Sequence, residues 1–90
     1  MVDEKKIIDV LETALSTAKI CYFERNDGHL AVSIACNAIK IYDKYEDIIK
    51  NSPEALSIYI EILDFLANVY LKRKDTESFL YIINRLYSDR

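Results

Sequence analysis

One glycine, one proline and no tryptophan or glutamine occur in the 90 residues of this chain. Collagen-like and linker-like chains are rich in Gly and Pro throughout, and most all-β folds use them at their turns, so this scarcity excludes them. Two cysteines, Cys21 and Cys36, are too few for the disulfide framework of a small secreted domain. They read as small buried hydrophobes. The single histidine, His29, would have to serve any Ser-His-Asp or Cys-His arrangement, and Cys21 lies several residues down the first helix from it. It reads as an exposed turn histidine. The spacing of Cys21, His29 and Cys36 matches no zinc knuckle or finger, and one glycine cannot build a phosphate-cradling loop. No catalytic residue, metal, cofactor or small-molecule substrate is therefore expected, and the chain is not read as an enzyme.

Long apolar runs are missing as well. None approaches the ~20 residues that span a bilayer, and the opening MVDEKKIIDV lacks the basic-then-apolar order of a signal peptide. The expectation is a cytoplasmic protein with no membrane insertion. A net charge of −3 supplies no global positive field. The run Lys72-Arg73-Lys74 reads as cations at a helix C-terminus, with no second basic cluster and no aromatic platform beside it, so direct nucleic-acid binding is not expected. The absence of Gln beside abundant Ile, Lys, Glu and Tyr is a bias seen in proteins of thermophiles.

What is present is helical patterning, with 51% of residues hydrophobic. The chain reads as one helical domain, residues 1–90, with helices over about 3–25, 29–50, 53–73 and 76–88. Ile7, Leu11, Ala14, Leu15, Ala18, Cys21 and Tyr22 line one face of the first. Asn26-Asp27-Gly28 breaks it. Leu30, Ala31, Ile34, Ala35, Ala38, Ile41, Tyr42, Tyr45 and Ile49 form the face of the second, its alanines allowing close approach. Asn51-Ser52-Pro53 starts the third, with Ser as N-cap and Pro at the first helical position. Asp75 or Thr76 caps the fourth, whose face is Phe79, Leu80, Ile82, Ile83 and Leu86.

The third helix carries the most information. Its polar residues, Glu54, Ser57, Glu61, Asp64, Asn68 and Lys72, fall on one narrow stripe, and apolar side chains cover nearly everything else. Such a helix needs neighbours on more than one side. Part of its surface, with Tyr59, Tyr81 and Tyr87 as candidate partner-binding residues, is expected to meet a protein partner or a second copy, since tyrosine brings large contact area at low entropic cost. A weak internal repeat also aligns Tyr22–Asp27 with Tyr70–Asp75, an offset of 48 residues, and places Ala31, Ile34, Ala35 and Ala38 on Phe79, Ile82, Ile83 and Leu86.

At Leu66-Ala67 followed by Tyr70, and at Ala31 and Ala38, the chain resembles the tetratricopeptide-like family of helical hairpins. That resemblance implies an all-α four-helix bundle of two antiparallel hairpins. Ala14, Ala18, Arg25-Asn26-Asp27, Ala31, Ala35 and Ala38 also look similar to the microtubule-interacting-and-transport (MIT) domain, which binds helical tails of membrane-remodelling proteins. The functional expectation is a non-catalytic interaction module, an accessory subunit or adaptor docking on a larger complex through its last two helices. A nucleic-acid-processing machine such as an archaeal replication complex is one conceivable setting. The alternative is a tetratricopeptide- or MIT-type domain binding a short helical peptide.

Overall fold

The computed structural model describes residues 3–89, which are almost wholly helical and contain no strand. Helix α1 spans Glu4–Lys19 and passes into a five-residue π-helical segment, Ile20–Glu24. Helix α2 is Gly28–Lys44, α3 is the short Glu46–Lys50, α4 is Pro53–Lys72 and α5 is Thr76–Ser88. The all-α expectation holds, and the last two helices lie where the sequence puts them. The first two expected helices differ. The helix expected over 3–25 loses α-geometry at Ile20, and the one expected over 29–50 is interrupted at Tyr45, whose φ of −121° and ψ of 35° lie outside the helical range.

Caps set these boundaries. Asp3, Asp27, Ser52 and Asp75 each accept a hydrogen bond from the backbone N–H three residues on, satisfying an otherwise unpaired donor at the start of α1, α2, α4 and α5. Ser52 is buried because it also donates to Glu4 Oε2 at 2.9 Å, which ties the start of α4 to the start of α1. The turns that end the first and third long segments are matched: Asn26 and Lys74 both take left-handed φ, 54° and 60°, and an Asp N-cap follows each at once. Those features stand 48 residues apart, as the sequence repeat does, whereas the N-caps Asp3 and Ser52 stand 49 apart. The first segment thus holds one more residue than the second. The π turn takes it up, with the Arg25 N–H reaching back to the Ile20 carbonyl at 3.2 Å instead of to the residue four before it.

Helix α4 is the centre of the molecule, packed on α1, α2, α3 and α5, while α5 lies along α4 and meets α2 through Arg85 and the Asp89 cap at its C-terminal end. Its polar stripe faces water throughout, and Tyr59, Ile62, Leu63, Phe65, Leu66 and Val69 are buried against the other helices. Leu11, Ala18, Ala31, Ala35 and Ala38 meet them in one continuous core. Ile34 and Ile41, expected in that core, are half-buried, and Leu30 is exposed. Ile34→Ala is accordingly expected to cost less than Leu63→Ala, for which full burial implies about 2–5 kcal/mol. Urea unfolding of both variants compares them, with parallel slopes as the control.

Gly28 opens α2 under the guanidinium of Arg73, so the two inter-helix turns touch. The Arg73 side chain is flexible enough to give way. Gly28→Ala is expected to leave the melting temperature unchanged or raise it, because alanine restricts the unfolded chain and suits a helix; calorimetry checks this.

Candidate functional sites

Two kinds of place in this fold could do something: a buried polar cluster at the C-terminal end, and the apolar surfaces left open by the packing.

The polar cluster forms where α2, α4 and the end of α5 converge. Tyr42 and Tyr59 stack with ring centroids 4.4 Å apart and planes 11° from parallel. Asp89, the residue that ends α5, meets both: the Tyr59 hydroxyl donates to its Oδ2 at 2.6 Å, and the Tyr42 hydroxyl donates to its backbone carbonyl at 3.1 Å. Arg85, one turn earlier, donates from Nε to Asp89 Oδ2 at 2.9 Å and from Nη2 to Asp43 Oδ1 at 2.7 Å and the Tyr59 hydroxyl at 3.3 Å. Its guanidinium carbon also lies 5.7 Å from the centre of the Tyr42 ring.

Burial pushes the Tyr59 hydroxyl far above the ordinary phenol range, and the hydrogen bond to Asp89 adds to it. Tyr42 is raised for the same first reason, with the negative charge of Asp89 second. Burial works against the charge of Arg85, but the hydrogen bonds to Asp43 and Tyr59 outweigh it and hold the guanidinium firmly protonated. Neutral phenols and a fixed cation make poor proton shuttles at neutral pH. The cluster instead fastens α5, which has no other close helix neighbour than α4, to the end of α2.

The structure overturns the expectation that Tyr59 lies on the exposed remainder of its helix: it is 0% exposed, in the middle of this cluster, because Tyr42 stacks on its ring and Asp89 accepts from its hydroxyl. Tyr81 and Tyr87 are on the surface, 51% and 83% exposed. The structure does not group them. At 100° per residue Tyr87 lines up with Leu80, seven residues before it, while Tyr81 points about 120° away. Leu80 and Tyr87, with half-buried Ile83 between them, share the side of α5 on which no other helix lies.

This open side continues onto α4 through half-buried Leu56 and Ile60 and exposed Leu71. A second open surface lies at the other end of the molecule. Between α1 and α2 runs a groove of about 790 Å³, lined on α1 by Lys6, Asp9, Val10, Thr13, Ala14 and Thr17 and on α2 chiefly by Ile34 and Ile41. Helical spacing places Ile34 and Ile41 in the core, which hides this groove from the sequence. A third depression places Phe23, 65% exposed, beside Phe65, and the edge-on packing of Tyr22 on both rings accounts for it as the rim of the core.

His29 is exposed at the start of α2, Cys21 is buried and Cys36 is half-buried, its Sγ 3.7 Å from the Tyr70 hydroxyl. Among the described residues no three His, Cys, Asp or Glu side chains come together as a metal site would require, and no helix is long and apolar enough to cross a membrane. No family model, curated protein or solved structure matches the chain.

Proposed function

We propose that this chain is a non-catalytic protein-interaction module, an accessory subunit or adaptor that docks on a larger protein through the open face of α4 and α5. The observation that supports this reading is the apolar strip Leu56, Ile60, Leu71, Leu80, Ile83 and Tyr87. It runs along two adjacent helices, with Leu71, Leu80 and Tyr87 exposed and Leu56, Ile60 and Ile83 half-buried beside them. Two helices side by side present a furrow suited to a third helix, which also favours the narrower alternative of a domain that takes a short helical peptide.

The test compares Leu80→Ser/Tyr87→Ser with Tyr81→Ser, each tagged and used to capture partners from native extract. The double variant is expected to lose a protein that wild type and Tyr81→Ser both retain, with folding stability changed by less than about 0.5 kcal/mol per exposed position. Retention of every captured protein by the double variant would remove this face as the docking site.

A further inference from the structure

The two ends of the molecule are related by its internal repeat. Two contacts establish which side of α2 faces α4: the Tyr42 ring stacks on Tyr59, and Cys36 Sγ touches the Tyr70 hydroxyl. With Ile39 between them, and Ala35 and Val32 before them on the same face at helical spacing, they define the strip of α2 that α4 covers. Moved on by the 48 residues that separate the matched turns, Val32, Ala35, Cys36 and Ile39 become Leu80, Ile83, Asn84 and Tyr87. That is the open strip of α5. Its large exposed side chains sit at the register positions where α2 receives a helix.

The covering helix has its counterpart too. On α4, Ala55, Ile58, Tyr59, Ile62, Leu63 and Leu66 lie on or beside the face turned to α1 and α2, and all but half-buried Ile58 are fully buried. Moved back by the 49 residues that separate the N-caps, they become Lys6, Asp9, Val10, Thr13, Ala14 and Thr17. These six are the α1 wall of the 790 Å³ groove. Each end of the fold therefore carries one half of the packing surface that joins its two helical pairs, and both halves are uncovered.

The α1 side of the contact is the smaller one: Val10, Thr13, Ala14 and Thr17 stand where α4 has Tyr59, Ile62, Leu63 and Leu66, while on α5 Leu80, Ile83 and Tyr87 stand where α2 has Val32, Ala35 and Ile39. Larger side chains on α5 thus offset part of the reduction on α1, as close packing of a helix onto a helical pair favours.

We propose that the occupant of the α4–α5 face is the α1 helix of a second copy of this chain, so that copies stack head to tail in the register of the internal repeat. The proposal rests on the reading of that face as a docking site and names its partner. Because the two contacting surfaces differ, the association is open-ended, and every stack leaves one α4–α5 face free at its end for another protein. Thr13 and Thr17 stand where α4 has Ile62 and Leu66, so the contact is less apolar than the internal one and reversible on dilution.

Sedimentation velocity of the purified chain from micromolar to millimolar concentration reads the outcome, using two surface variants that spare the core. Thr13→Arg blocks the head and Leu80→Arg blocks the tail; both positions are exposed, and circular dichroism checks that each variant folds. Wild type is expected to grow past dimer with concentration, and each variant alone to sediment as a monomer. Mixing the two is expected to give a one-to-one heterodimer that grows no further, because only one intact head and one intact tail remain.

A wild type that stays monomeric throughout overturns the proposal. So does a dimer abolished by Leu80→Arg but untouched by Thr13→Arg, which is the mark of a symmetric α5 contact. A mixture that fails to associate also overturns it. A monomeric wild type whose capture of another protein is lost on Leu80→Arg would leave the docking reading standing and remove the self-stacking one.

Discussion

Tyr59→Ser is expected to unfold the protein or leave it barely folded. The substitution removes a fully buried ring stacked on Tyr42 and deletes the hydroxyl that donates to Asp89 and accepts from Arg85. Truncating a buried aromatic costs about 3–5 kcal/mol through lost burial and the cavity left behind. Ordinary domains have only about 5–15 kcal/mol in hand, and a chain of this size sits toward the lower part of that range. Tyr59→Phe separates the parts. It keeps the ring and the stack and removes only the hydroxyl, so about 1–3 kcal/mol is expected, the cost of leaving part of a buried carboxylate without its donor. Thermal melts of wild type and both variants make the comparison. A Tyr59→Ser variant with a wild-type melt would mean that the ring is not in the core and would undo the account of how α5 is held.

The misplacing of Tyr59 shows what helical periodicity can and cannot resolve. The narrow polar stripe of α4 was fully legible: all six residues from Glu54 to Lys72 face water. Everything off that stripe is apolar, however, and the pattern carries no mark of which apolar positions a neighbour covers. The partners that settle Tyr59 come from elsewhere in the chain, Tyr42 from α2 and Asp89 from its far end. Asp89 itself carried a faint signal, an acid one turn after Arg85 at a helix end, which is also the spacing of an ordinary surface pair.

The caps were easier. Ser52-Pro53 and the Asn-Asp turn act through local backbone chemistry, and local chemistry is written locally. Tyr45 interrupts α2 with no Gly or Pro beside it, so nothing short-range announces the break. The π turn was legible in principle, since the turns repeat at 48 residues and the N-caps at 49, and a single extra residue inside a continuous helix has to be absorbed by a wider turn. The α1–α2 groove was hidden for the opposite reason to Tyr59: Ile34 and Ile41 have core-like spacing, yet no helix lies over them.

Alkaline pH is expected to unfold this protein steeply, beginning near pH 10. Burial raises three tyrosines above the ordinary phenol value of 10.0: Tyr59 most, Tyr42, and Tyr70, which is pushed up to about 12 by burial and then by its contact with Cys36. The sign follows from linkage. Below pH 10 these phenols are neutral in both the folded and the unfolded chain, and the stability from their burial is fully present. Above pH 10 the unfolded chain ionises first and is favoured, while the folded chain holds its protons, so stability falls as pH rises from 10 toward and through the raised folded values. Each phenol contributes a slope approaching about 1.4 kcal/mol per pH unit inside its window, so the loss steepens while several of the buried phenols resist ionisation together. Far-UV circular dichroism against pH measures the unfolding, and absorbance at the phenolate band counts the tyrosines released with it. Tyr70→Phe is the sharper check. Among the described residues its hydroxyl bonds only the Cys36 thiol, so the variant is expected to fold normally at neutral pH yet unfold less steeply above pH 10. Equal steepness in the variant, or phenolate absorbance that rises for every tyrosine well before the helical signal is lost, would show that the buried phenols do not resist ionisation and that the cluster is open to water.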